Sequence, residues 1–73
     1  MTKKQAEVIM AYAENNMSAL ATGKALCVRD MSVQYHLRKI FLKTGRNPRK
    51  FFDLCYLVGM AAQILGGNEH ENK

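Results

Sequence analysis

The sequence predicts an all-α domain: a compact four-helix arrangement with a tri-helical core and a C-terminal helix. Three observations carry this expectation. Apolar residues recur at helical spacing, as in Ala6, Ile9, Met10 and Ala13. Residues suited to starting and stopping helices punctuate the chain at short intervals. No segment shows the strict apolar-polar alternation of a half-buried strand.

The first helix begins at Thr2-Lys3-Lys4-Gln5, which has the form of a capping box: the Thr hydroxyl accepts from the backbone three residues on, and Gln5 reaches back. Asn15-Asn16 ends it, because Asn tolerates the left-handed conformation of a helix stop. Ser18 is the natural N-cap of a short second helix running to about Leu26. Gly23 lies inside that helix at a cost of roughly 1 kcal/mol against Ala. Close approach of another helix backbone is the expected reason.

The third helix is expected from about Met31 to Thr44, with Asp30 as N-cap and Gly45 at its end. Val33, Leu37, Ile40 and Phe41 form its inward face. Asn47-Pro48 then opens a fourth helix, since Pro at a first helical position gives up a hydrogen bond it would not have made. Gly66-Gly67 closes it. The domain thus covers residues 1–66, followed by a flexible polar tail, 67–73.

A chain of 73 residues buries only ~60% of the surface it exposes when unfolded, so a partner subunit is a common source of extra stability. The fourth helix supports that expectation. Phe51, Leu54, Cys55, Val58, Ala61, Ala62 and Leu65 make one apolar face. Phe52, Tyr56, Met60 and Ile64 make a second on roughly the opposite side, which predicts a homodimer through this stripe.

Cys27 and Cys55 make no disulfide framework, and the opening residues MTKKQAEV are too polar for a signal peptide. A reduced, cytoplasmic setting is expected. The longest uncharged run, Leu54 to Asn68, falls short of the ~20 apolar residues of a membrane helix.

Charge is distributed unevenly. Between Lys24 and Lys50 stand eight basic residues against one acid, Asp30, so this third carries +7 of a total of +5 and the flanks are net acidic. Such a field favours a polyanion or an acidic surface. The break at Cys27-Val28-Arg29 joins two helices through about three residues, the spacing of a helix-turn-helix, in which the second helix enters the DNA major groove. Gly23 provides the small residue at the crossing. Cys27 is a misfit, standing where the turn wants positive φ, at a cost on the order of 1 kcal/mol.

The stretch LCVRDMSVQYHLRKIFLKTGRNPRKFFDL resembles the C-terminal helix-turn-helix module of PucR-type regulators, those of purine catabolism and sugar-diacid use. It looks closer still to small stand-alone proteins built from that module alone. Leu26, Val28, Ser32, Val33, Tyr35, His36, Leu37, Ile40 and Thr44-Gly45 match the pattern, and the resemblance covers about residues 5 to 58. It implies double-stranded DNA binding and transcriptional regulation, with the protein on the nucleoid when bound. Where the family has His-Arg-Asn-Thr, this chain has Arg29-Asp30-Met31-Ser32, so base preference does not carry over.

The expected DNA contacts are Arg29, Ser32, Gln34, Tyr35, Arg38 and Lys39, with Arg46 and Arg49 gripping backbone at the next helix start. Cations position a protein on phosphates, and neutral donors and acceptors such as Ser32, Gln34 and Tyr35 add base selectivity. Against each stands an ordinary alternative: a solvated charge for Arg38 or Lys39, packing against the second helix for Tyr35. Leu42 is expected to meet the fourth helix. Two inverted half-sites ~34 Å apart suit a symmetric dimer whose recognition helices face one side.

No metal site, cofactor, small-molecule ligand or enzyme activity is expected, since no ligand pair at metal spacing, nucleophile triad or phosphate loop appears. The rival reading is a protein-interaction module gripping a partner through the second stripe of the fourth helix. A structural or RNA-associated role is a further one.

Overall fold

The first two helices start at residues whose side chains satisfy backbone groups that the helix cannot. A computed structural model describes the backbone of residues 1–71 and the side chains of residues 1–66. Helix α1 spans Lys3–Glu14, α2 Ala19–Leu26, α3 Asp30–Thr44 and α4 Phe51–Glu71; no strand occurs among the described residues. The fold is all-α, as the sequence predicts.

The start of α1 is the reciprocal capping box: Gln5 N–H donates to Thr2 Oγ1 at 3.0 Å, and Thr2 N–H donates to Gln5 Oε1 at 3.0 Å. Its end runs through Asn16 and Met17, with φ of 58° and 61°. Asn adopts this region readily; Met does so at a cost of roughly 1–2 kcal/mol, offset in part by Met17 N–H donating to the Tyr12 carbonyl at 2.9 Å. Ser18 Oγ caps α2 by accepting from Ala21 N–H at 3.1 Å. Gly45, with φ 76°, stops α3 and donates its N–H to the Phe41 carbonyl at 2.9 Å.

Helix α1 lies at the centre and packs against each of the other three. Ala6, Val8, Ile9 and Tyr12 of α1 meet Val33, Leu37 and Ile40 of α3 and Leu54, Leu57 and Ala61 of α4 in one cluster. Burying a side chain the size of Ile9, Leu37, Ile40 or Leu57 contributes on the order of 2 kcal/mol each, so these four dominate the apolar stabilisation. From α2 only Thr22 and Gly23 are buried. The Thr22 hydroxyl donates to the Ser18 carbonyl at 2.7 Å, and no buried side-chain polar atom among the described residues lacks a partner.

Four expectations need correction. Arg29, not Asp30, occupies the N-cap of α3 and makes no side-chain cap bond; Asp30 is the first helical residue, where its carboxylate favours the positive end of the helix dipole. Helix α4 starts at Phe51 rather than Pro48. Asn47 Oδ1 accepts from Arg49 N–H at 3.0 Å, folding Pro48 and Arg49 into a separate turn, and Pro48 is buried beneath it. Asp53 reaches back to accept from Asn47 N–H at 3.1 Å. At its other end α4 passes through Gly66-Gly67 to Glu71, so the expected stop there does not occur. The polar tail is helical that far, and residues 72–73 lie outside the described part.

The fourth correction concerns which faces are covered. Helices α3 and α4 have no close backbone approach to one another. Phe41 is therefore 43% exposed instead of inward, and Leu42, 68% exposed, does not meet α4. On α4 the buried positions are Leu54, Leu57 and Ala61, whereas Phe51, Cys55 and Ala62 are exposed.

Candidate functional site

What positions α3 is the corner before it. Cys27 adopts φ 60° and ψ 39°, the left-handed conformation, and its N–H donates to the Lys24 carbonyl at 3.3 Å. Val28 N–H donates to the Gly23 carbonyl at 2.8 Å, so the chain folds back over the last turn of α2. A Cβ at Gly23 would lie 2.7 Å from the Val28 carbonyl oxygen and 3.2 Å from Asp30 N. Only glycine fits there. The turn backbone rests directly on α2, which explains a helix-interior glycine that propensity disfavours.

Beyond the corner, Val33, Leu37 and Ile40 hold α3 to the core, and at 3.6 residues per turn the opposite face points away from it. Met31, Tyr35 and Leu42 are 72%, 59% and 68% exposed on that face, and Gln34, Arg38 and Lys39 are exposed beside them. Tyr35 is more than half exposed rather than buried against the core. Its ring stands edge-on to His36 with centroids 5.8 Å apart, and the Lys39 ammonium lies 5.8 Å from its centroid.

The turn after α3 completes one side of this surface. A groove of about 550 Å³ runs along α3, lined by Met31, Gln34, Tyr35, Arg38 and Phe41 among others, with Asn47 and Arg49 of the turn on its far wall. Four of the expected contacts, Gln34, Tyr35, Arg38 and Arg49, thus converge on one groove. Ser32 and Lys39 fall on the opposite flank of the helix; Lys39 lines a shallower depression with Gln5, Leu42 and Lys43. Arg29 is exposed at the corner itself.

Arg46 behaves differently from the other basic residues. Its guanidinium lies 3.6 Å from Asp53 Oδ1 and 4.0 Å above the centroid of the Tyr56 ring. This clip ties the end of α3 to the first turns of α4 through a carboxylate and an aromatic face. An exposed ion pair of this kind contributes no more than about 1 kcal/mol. It nonetheless gives Arg46 a partner within the chain, and it engages Tyr56, one of the four residues expected at a dimer interface.

The rest of that stripe divides. Phe52 is 83% exposed, with its ring edge-on to Phe51 at 5.4 Å, and Ile64 is also exposed. Met60 instead turns inward and packs against the core. A second groove, of about 500 Å³, lies between the end of α1 and the start of α4, lined by Ala13, Met17, Phe51, Leu54, Cys55 and Val58 with Asn16.

Sequence reasoning missed the inward Leu57, the groove wall at Asn47 and the Arg46–Asp53–Tyr56 clip. Leu57 does stand at helical spacing from Leu54 and Ala61, but the nearly continuous apolar run around it hides that period, and Asn47 and Arg46 lie in the turn, outside any helical period. The arrangement as a whole is a basic, partly apolar helix edge held clear of the core. No helix among the described residues is long and apolar enough to cross a membrane. No protein-family model, curated protein or solved structure matches the chain.

Proposed function

We propose that the chain binds double-stranded DNA, with α3 as the helix that enters the major groove, and that it acts in transcriptional regulation. The observation that carries this reading is the exposure of Gln34, Tyr35, Arg38 and Lys39 on a helix set off from α2 by a three-residue corner. The charge distribution supports it: six of the eight central basic residues follow that corner, and Arg29 lies in it. Arg38, Lys39, Arg29 and Arg49 take phosphates, and Gln34 and Tyr35 reach base edges. The resemblance to PucR-type modules points the same way.

The exposed Phe52 and Ile64 support a homodimer through α4. That helix carries no charge from Leu54 to Asn68, so two copies of a +5 chain meet there without direct repulsion. The same uncharged stripe is also what a protein-interaction module would use, and salt separates the two roles. Duplex affinity of the wild-type chain should fall by an order of magnitude or more between about 50 and 200 mM salt, as counterion release at several phosphates requires. Fluorescence anisotropy with a labelled duplex measures this. Absence of duplex binding at the lower salt sinks the reading and leaves the interaction module.

A further inference from the structure

We infer that α3 reads thymine: Met31 meets the 5-methyl group of a thymine in the major groove, while Gln34, one turn on, pairs with adenine. The inference rests on the duplex-binding reading and names what that surface selects.

Met31 is the second residue of α3 and is 72% exposed, more than any other apolar side chain on this helix. Among the described residues little covers it. It stands at the N-terminal end of the helix, the end whose residues contact base edges in helix-turn-helix docking. Gln34 lines the same groove three positions later, on the neighbouring turn of the same side. Among the described residues the charged ones lining that groove are Arg38 and Arg49, with no acid beside them.

A matching occupant must offer negative charge at the rim and an apolar group between. B-DNA does so only where thymine is present, because the thymine methyl is the one apolar group in the major groove and the phosphates flank it. Glutamine makes its bidentate pairing with adenine N6 and N7, so Met31 and Gln34 converge on A·T pairs. Duplex RNA has uracil in place of thymine, and its major groove is too narrow to admit a helix.

Replacing thymine by deoxyuridine removes the methyl and leaves every hydrogen-bonding group in place, which makes it the direct test. The full chain is titrated with alternating dA-dT and dA-dU duplexes of equal length, and with Met31→Ala in parallel. At an exposed position this substitution leaves the fold intact, and circular dichroism checks that it does. The wild type should bind the dA-dT duplex more tightly by about four-fold per methyl contacted. Met31→Ala should bind both alike, at the wild-type dA-dU level. Equal wild-type affinity for the two duplexes overturns the inference and leaves the duplex reading standing. Discrimination that persists unchanged in Met31→Ala overturns the assignment to Met31. Failure to bind either duplex removes the duplex reading and the inference with it, and anionic phosphatidylserine vesicles bound in their place would assign the face to a lipid surface.

Discussion

Helices α3 and α4 each bury one face on α1 and leave another uncovered, but they differ in what they leave. On α3 the uncovered face mixes Met31, Tyr35 and Leu42 with Arg38, Lys39 and Lys43. On α4 it carries Phe52, Cys55, Tyr56 and Ile64, with no charge after Asp53 through Asn68. A charged partner would meet the first through long-range Coulomb interaction. The second can gain free energy only by contact, through removal of apolar surface from water. One small domain thus presents two surfaces that answer to different variables, salt for α3 and protein concentration for α4.

Four variants test that division and the scaffold beneath it. Reversing Arg38 and Lys39 together to Glu should lower duplex affinity by about a hundred-fold or more at low salt, since it removes two phosphate contacts and adds two repulsions. The helical circular dichroism should not change, both residues being exposed. A duplex bound as tightly as before would show that the charged face of α3 is merely solvated.

On α4, changing the exposed Phe52 and Ile64 to Lys should convert a dimer into an 8.3 kDa monomer in sedimentation at micromolar concentration, with less than about 1 kcal/mol lost from folding. Leu57→Ala on the buried face should instead cost about 2–5 kcal/mol by denaturant titration. A wild-type chain that sediments as a monomer would remove the contact role of the uncovered α4 face. Smallest is the effect at the corner itself. Cys27→Gly relieves a left-handed non-glycine residue and should stabilise the fold by about 1 kcal/mol, raising the denaturation midpoint without altering duplex affinity.

Much of this fold was legible because the punctuation is local. Thr2 with Gln5, Ser18, Asn15-Asn16 and Gly45 act within four residues of themselves, and each does in the structure what its chemistry predicts. Gly23 was readable as a close-approach position, whereas Cys27 stood as a misfit that the structure accommodates in the left-handed conformation. Failures arose where a distant partner decides. Asp53, six residues on, shifts the start of α4 by bonding Asn47 N–H. Almost every position from Phe51 to Leu65 is apolar, so periodicity offers little contrast, and the packing against α1 selects Leu54, Leu57 and Ala61 instead of the face built on Phe51 and Cys55. Phe41 looked buried only on the supposition that α4 covers α3.

The wedge of turn backbone against Gly23 has one further consequence. With the Val28 carbonyl seated 2.7 Å from where a methyl would begin, and with the Val28 N–H bonded back to the Gly23 carbonyl at 2.8 Å, the corner that leads into α3 is pinned to the last turn of α2. A partner arriving at α3 finds its side-chain array already oriented and incurs little of the ordering entropy that a loop-borne surface demands. Association there should be governed by encounter rate and desolvation, with no slow rearrangement preceding it.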